Sequence, residues 1–235
     1  MSASRSFPPQ SGSYRLQVKN GAGWHAFDAA RLQISVGQPY HEGEKLAATV
    51  DWIGHRFDRA IVCVNDTLQR HNLMFEGMAE PRALRQCIEN GTRWIDRNRA
   101  ALARLPKLEI HRFEDWRRQP GFERELGRLR SLHASDPLFR VAIEDEVRSF
   151  WQRRIRSTGL SEAYRFAAFA QHSTDYLLEE TAAFFLMFEQ DRAVDIYPGS
   201  TLLPHTLAPA YGYGPECHFT RIDFKRRDPL RLEAA

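Results

Sequence analysis

The stretch Leu32-Gln33-Ile34-Ser35-Val36-Gly37-Gln38-Pro39-Tyr40, running on into His41-Glu42-Gly43-Glu44, decides the fold. An apolar run breaks at a serine, a glycine lets the backbone turn, and polar residues open a helix within a few positions. This predicts a strand over Arg31 to Val36 that ends at a strand-to-helix corner, with the Ser35 hydroxyl in the bend. Leu46, Val50, Ile53 and Phe57 then recur at three- and four-residue steps, which predicts a helix over about Glu42 to Phe57. Ala60-Ile61-Val62-Cys63-Val64-Asn65-Asp66 is a second apolar run closed by polar residues, the pattern of a strand covered on both faces. Strand, helix, strand implies a parallel, right-handed unit in an α/β sheet, where ligands bind beyond the carboxyl ends of the strands. A serine at such a corner is as readily a cap or turn former as a nucleophile, and local sequence leaves both open.

Working outward, Tyr14 to Val18 alternates apolar and polar residues as an edge strand does, closed by the turn Asn20-Gly21. Further strands are expected at Lys107 to Phe113, Ala193 to Tyr197 and His218 to Phe224. Helices are expected over Gly121–Ser131, Asp136–Ser157 and Ser161 to about Phe188. The segment Gly199 to Glu216 carries Pro204, Pro209, Pro215, Gly212 and Gly214 around Tyr211 and Tyr213. A loop of that length in a compact domain is usually functional, so it is expected to be a lid. The expected organisation is a disordered head (1–13), a single α/β catalytic domain (14–226) and a basic tail (227–235).

At 235 residues and 43% hydrophobic, the chain can bury one sizeable core. No window approaches 18 apolar residues and the N-terminus lacks an apolar leader, so no membrane association is expected. Cys63, Cys87 and Cys217 lack the paired spacing of a zinc site, and an odd number argues against a disulfide framework; a reducing cytoplasm fits. The net charge is only +3, yet all but four of the 33 basic residues are arginine. Such an excess suits phosphate binding, and genome composition alone also produces it.

Proline in the first turn opens a long predicted helix from Pro81 to Leu105. Projected at 100° per residue, Leu84, Ile88, Ile95 and Leu102 share one side, and Arg82, Arg93, Arg97 and Arg104 share the other. Apart from Glu89 that stripe has one sign, where a solubilising face usually mixes signs. Nucleic-acid contact and plain solvation both remain open. Asn90-Gly91 is a candidate kink. In the later helix Tyr176 and Glu180 lie four residues apart on one face among Leu177, Leu178, Phe184 and Phe185. A carboxylate in apolar surroundings needs a partner, such as a cationic amine, unless the Glu179-Glu180 pair is exposed.

Several chemistries are absent. There is no Gly-rich phosphate loop with its lysine, no dinucleotide fingerprint and no histidine pair at metal-ligand spacing. The nucleophile elbow of hydrolases wants glycine two residues before the serine, where this chain has Gln33.

Four separated motifs in order, Ile34-Ser35-Val36-Gly37, Asp66-Thr67, Tyr176-Leu177-Leu178-Glu179-Glu180 and Ile196-Tyr197-Pro198, with the arginine-striped helix between them, resemble the tRNA-dependent cyclodipeptide synthases. The resemblance covers about Tyr14 to Phe224. One subfamily carries Asn three residues after the serine and Tyr-His at the last motif. Gln38 and Tyr197-Pro198 look like the other, with Tyr-Pro. The resemblance implies a Rossmann-like parallel sheet flanked by helices, similar to the catalytic domain of class I aminoacyl-tRNA synthetases but without their ATP signatures.

It further implies a ping-pong use of two aminoacyl-tRNAs, taken in sequence, to make a 2,5-diketopiperazine. Ser35 would attack the first ester and hold the aminoacyl group, Tyr176 and Glu180 would grip its amine, and Tyr197 would orient groups or relay protons. No cofactor or metal is expected, because the substrate ester is already activated. Gly37, Gln38 and Pro198 are implied at the substrate, and Arg82, Arg93, Arg97, Arg99 and Arg104 at the tRNA, for a protein expected to be a monomer. No histidine stands out beside Ser35, so its activation is open, a vicinal ribose hydroxyl being a candidate. Strand alternation puts Arg31, Gln33 and Ser35 on one face. Arg31 and Gln33 would then form a polar pocket, with a polar or acidic residue, Glu first, in the product. The rivals are a noncatalytic RNA-binding protein, which ignores Ser35, and a serine hydrolase or other acyltransferase, which ignores the arginines.

Overall fold

The structure, a computed structural model, describes residues 13–19, 23–158, 165–200, 202–213 and 218–227. Six strands form one sheet: Tyr14–Val18 (β1), Ala29–Ile34 (β2), Arg59–Val64 (β3), Glu109–Arg112 (β4), Val194–Tyr197 (β5) and Phe219–Arg226 (β6), in the order β1-β6-β5-β2-β3-β4. All neighbours run parallel except β1, which pairs antiparallel with β6 at the edge. The chain moves from β2 outward through β3 to β4, then returns to β5 on the other flank of β2. That reversal opens a crevice between the carboxyl ends of β2 and β5, the position at which open α/β sheets bind ligands.

The helices are Gly43–Gly54 (α1), Arg70–Phe75 (α2), Glu80–Leu102 (α3), Phe113–Arg117 (α4), Phe122–Ser135 (α5), Pro137–Thr158 (α6), Phe166–Gln190 (α7) and Leu203–Leu207 (α8). They cover both faces of the sheet. Ala60, Val62 and Val64 of β3 join the core under α1 and α3, while the alternate residues Ile61 and Cys63 join the core under α5, α6 and α7. All six residues of β2 are buried, which is why the strand reads as a nearly continuous apolar run. The predicted start of the α7 helix at Ser161–Tyr164, the Asn20-Gly21 turn, most of the head and most of the tail lie outside the described residues.

Two parts of the chain, α3 and the segment after β5, depart from expectation. The buried line of α3 is Ala83, Cys87, Gly91, Trp94, Asn98 and Leu102, while Ile88 is exposed. The expected line of large apolar residues shares only Leu102 with the buried one, which includes Gly91 because Asp66 and Arg112 crowd that position. Gly91 does not kink α3. A Cβ there would overlap Asp66 Oδ2 and come within 2.8 Å of Arg112 Nη2, so its missing side chain leaves room for the ion pair in which Arg112 Nε donates to Asp66 Oδ2 at 2.7 Å. Gly91→Ala gains about 1 kcal/mol of helix propensity but displaces a carboxylate that is buried. A net destabilisation of about 2–4 kcal/mol is expected. An unchanged or raised melting temperature would refute this account of Gly91.

The second correction concerns the expected lid. Pro204 and Pro209 sit in the first turns of α8 and of a 3-10 helix Ala208–Tyr211, where a missing N–H costs nothing. Leu207 and Ala208 are buried, the Tyr211 hydroxyl donates to Asp136 Oδ2 at 2.9 Å, and Tyr213 stacks on Phe185 at 4.0 Å. In its described part the segment is packed against α5, α6 and α7, and the prolines start helices instead of marking an open loop.

Candidate active site

The sequence after β2 builds the corner. The Gln38 N–H donates to Ser35 O at 3.2 Å across a four-residue turn, with Gly37 third at φ +89°, a conformation that favours glycine. A 3-10 turn at Pro39–His41 follows and brings His41 back under Ser35. The Ser35 N–H donates to His41 Nδ1 at 3.0 Å, and the Trp94 indole N–H of α3 donates to His41 O at 3.0 Å. A histidine therefore does stand beside Ser35, six residues on in the chain and belonging to none of the motifs singled out above. It holds the main chain instead of the hydroxyl: Nδ1 is committed as an acceptor, and burial lowers its pKa to about 4, so the ring is neutral.

Across the crevice, β5 delivers Tyr197. Its hydroxyl lies 3.2 Å from Ser35 Oγ and 2.8 Å from the Tyr40 hydroxyl, so three hydroxyls form one chain. A Cβ on Gly199 would sit 2.5 Å from Tyr197 Cε1, so the glycine after Pro198 is what lets the ring lie there. Burial, and then the neighbouring Tyr197, push the Tyr40 phenol well above its ordinary value.

These groups open onto a cavity of about 240 Å³, whose far wall is α7 with Tyr176, Leu177 and Glu180, closed by Glu146, Phe150 and Arg153 of α6. Ser35, Tyr176, Glu180 and Tyr197, drawn from three distant segments, thus meet at one cavity. Burial first, and then Glu146, raise the Glu180 carboxyl to about 8. Burial, reinforced by Glu180, holds Tyr176 well above its ordinary value. The adjacent Glu179 behaves oppositely. Burial would raise it, but a His71 hydrogen bond and the Arg70 guanidinium, 2.5 Å away, hold it at about 2. One glutamate of the pair is an anchor between α2 and α7; the other faces the cavity.

The remaining predicted residues divide. Gln33 lines the cavity, but its amide donates to Asp195 Oδ1 at 2.8 Å and its carbonyl accepts from Asn65 at 3.0 Å. Arg31 does not reach the cavity. It shares the face of Gln33, as alternation predicts, yet it is fully buried one step deeper, 3.2 Å from Asp195 and donating to Met187 O at 3.1 Å. The polar pocket built on Arg31 is therefore withdrawn, because that guanidinium neutralises a buried aspartate between neighbouring strands. Gly37 and Gln38 are exposed on the turn, and Pro198 is half-buried beside the cavity without lining it.

Arg82, Arg93, Arg97 and Arg99 lie on the exposed face of α3, and Arg104 is exposed in the turn just beyond its end. Three are paired: Arg97 with Glu42, Arg99 with Asp96 at 2.6 Å and Arg104 with Asp51 at 2.7 Å. Arg82 and Arg93 have no carboxylate partner among the described residues, Arg93 donating instead to Asn90 at 2.6 Å. Sequence reasoning missed Tyr40, His41, Asn65, Glu146 and Arg153. The first two carried a signal, their closeness to Ser35. Glu146 and Arg153, 3.1 Å apart, lie on an exposed-looking charged helix that gave none.

Among the described residues no three His, Cys, Asp or Glu side chains gather as a metal site requires, and no helix is long and apolar enough to cross a membrane. No curated protein matches the chain. Among solved structures, it resembles a cyclodipeptide synthase from Fluoribacter dumoffii at 23% identity, covering 92% of this chain and all of that one, with a TM-score of 0.81. A Mycobacterium tuberculosis protein, whose structure relates cyclodipeptide synthetases to type I tRNA synthetases, matches at 16% identity over 95% and 98% of the two chains, with a TM-score of 0.66. A cyclodipeptide synthase from Candidatus Glomeribacter gigasporarum bound to Phe-tRNAPhe matches at 17% identity over 85% and 88%, with a TM-score of 0.65. These likenesses bear out the expected fold. Residues 22–189 match the family model for cyclodipeptide synthase, which is most of the sequence, and the chain therefore belongs to the cyclodipeptide synthase family, tRNA-dependent aminoacyltransferases.

Proposed function

We propose that this enzyme joins two aminoacyl groups by a ping-pong route through an aminoacyl-Ser35 ester. The observation that carries the reading is the Ser35 hydroxyl at the β2–β5 crevice, 3.2 Å from Tyr197, facing a cavity whose far wall holds Tyr176 and Glu180. Ser35 Oγ attacks the ester carbonyl of the first aminoacyl-tRNA. The bond to the ribose oxygen breaks, and the tRNA leaves as a hydroxyl that takes up the serine proton. Tyr40, held as a phenol by its burial, and Tyr197 orient Oγ without acting as its base, and a vicinal ribose hydroxyl serves as the relay. The bound amine rests against Tyr176 and Glu180. After giving its extra proton to Glu180, it attacks the ester carbonyl of the second aminoacyl-tRNA, whose ribose oxygen leaves as a hydroxyl with a proton from the attacking nitrogen; the new terminal amine then attacks the Ser35 ester, which breaks to close the ring and return Oγ to its hydroxyl. Gln38 and Tyr197-Pro198 support membership of the Tyr-Pro subfamily. The tRNA supply and the unpaired cysteines Cys63 and Cys87 support a cytoplasmic location for a catalytic domain over residues 14–226.

Mass spectrometry of the protein mixed with charged tRNA tests this directly. An aminoacyl adduct on Ser35 with release of a cyclic dipeptide is expected. Binding without an adduct, or release of free amino acid, would replace the reading with an RNA-binding module or a hydrolase.

The Glomeribacter relative bound to Phe-tRNAPhe supports aminoacyl-tRNA as the partner, and the exposed α3 face supplies the charge. Each arginine that contacts a phosphate releases counterions, so its removal flattens the dependence of log affinity on log salt by about one. Arg82→Ala with Arg93→Ala is expected to flatten the slope by about two. Arg97→Ala with Arg104→Ala should flatten it less, since Glu42 and Asp51 already neutralise those side chains. Equal slopes in all variants would make the stripe a solvated face.

A further inference from the structure

A second cavity, of about 190 Å³, opens on the other side of the Ser35 corner, lined by Val36, Gln69, Asn72, Leu73, Cys87 and Asn90. Ser35 faces the first cavity and Val36, the next residue, faces this one, so the two spaces are separated by a single peptide unit. Its walls are α2 and α3. At its mouth Asn90 Oδ1 accepts from Arg93, and from there the exposed arginines of α3 continue outward.

The lining is chemically specific. Val36, Leu73 and Cys87 offer flat apolar contact, and burial raises the Cys87 thiol to about 11, so it stays uncharged. Asp66 also lines the space, but Arg112 clamps its carboxylate, so no uncompensated negative charge faces an approaching phosphate. Three carboxamides edge the cavity. Asn72 Nδ2 donates to Gln69 Oε1 at 2.8 Å, which leaves Asn72 Oδ1 as an acceptor; Asn90 Nδ2 is a donor without a partner among the described residues. An acceptor and a donor across an apolar slot suit the edge of an adenine, which offers an amino group beside a ring nitrogen.

We propose that this cavity holds the terminal adenosine of the aminoacyl-tRNA, with the aminoacyl group in the first cavity and the ester lying across Ser35–Val36. The proposal rests on the aminoacyl-tRNA reading above and adds where the leaving nucleoside sits. Such an arrangement brings the ribose hydroxyls to the serine while the backbone phosphates run out along Arg93. Gln69 also hydrogen-bonds Tyr176, which joins the walls of the two cavities.

The test compares binding of uncharged tRNA with a complete 3′ end against the same tRNA lacking its terminal adenosine. The wild type is expected to prefer the complete tRNA by about tenfold or more. In the double variant Asn72→Ala, Asn90→Ala, and independently in Leu73→Trp, which fills the cavity, the preference should fall toward unity while the truncated tRNA binds as before. Circular dichroism would confirm that both variants fold, and the second covers the case in which freeing Arg93 masks the first. A preference retained in both variants, or absent in the wild type, overturns the proposal. Failure of the underlying reading shows differently, as no cyclic dipeptide from wild-type enzyme and charged tRNA, and removes this proposal with it.

Discussion

Ser35→Ala is expected to abolish both the covalent adduct and the cyclic product, a loss of at least about a thousandfold, because the acyl ester of the proposed route is built on Ser35 Oγ. The fold should survive. Ser35 is only partly buried and its hydroxyl makes one hydrogen bond to a described side chain, that to Tyr197, which keeps its 2.8 Å contact with Tyr40. The stability change should lie within about 1 kcal/mol. The two readouts together are decisive, since inactivity with a collapsed melting temperature would say nothing about catalysis. Full product formation by a folded Ser35→Ala enzyme would eliminate the acyl-serine route.

The second large effect is at Glu180. Its carboxyl titrates near 8, raised first by burial and then by Glu146. The α-amino group it is proposed to receive has an ordinary value of about 7.7–8.0, so the two exchange a proton at little cost, the match that a general base needs. The rate should rise with pH through about 8 as Glu180 ionises. Glu180→Gln should remove that limb and lower the rate by about a hundredfold to a thousandfold. Stability should move oppositely. A carboxyl whose folded value lies above its ordinary 4.5 stabilises the fold below that pH and loses the contribution as pH climbs toward 8. Wild-type melting should therefore decline over that window, the glutamine variant should be flatter, and above pH 8 the variant should be the more stable protein. An intact pH–rate limb in Glu180→Gln would assign the titration elsewhere.

The strand–helix–strand unit and the apolar runs of β2, β3 and β5 were legible because each obeys a local rule of period or turn chemistry. The outer strand β1 was legible for the same reason, its alternation reporting one exposed face. The buried side of α3 was not, since Gly91 faces inward for the sake of Asp66 and Arg112, which lie on other segments. Arg31 shows the limit of alternation: the face was right, but the partner that decides its role, Asp195, arrives from 164 residues away. Tyr176 and Glu180 could be paired from their spacing on one helix. Glu146 and Arg153, which complete the same cavity, could not, because only tertiary packing turns that part of α6 inward.

The order of the strands has a consequence for how the protein comes into being. β2, α1 and β3 are neighbours in sequence and can form early, but the crevice exists only once β5 docks on β2, and Ser35 and Tyr197 are 162 residues apart. Closing a loop of that size costs entropy that only the finished core repays, and contacts so distant in sequence form slowly. A chain still emerging from the ribosome carries Ser35 but neither Tyr197 nor the α7 wall. Ser35 is thus without its pocket until nearly the whole polypeptide has been made, and aminoacyl-tRNA crowded around the translating ribosome meets no complete site there.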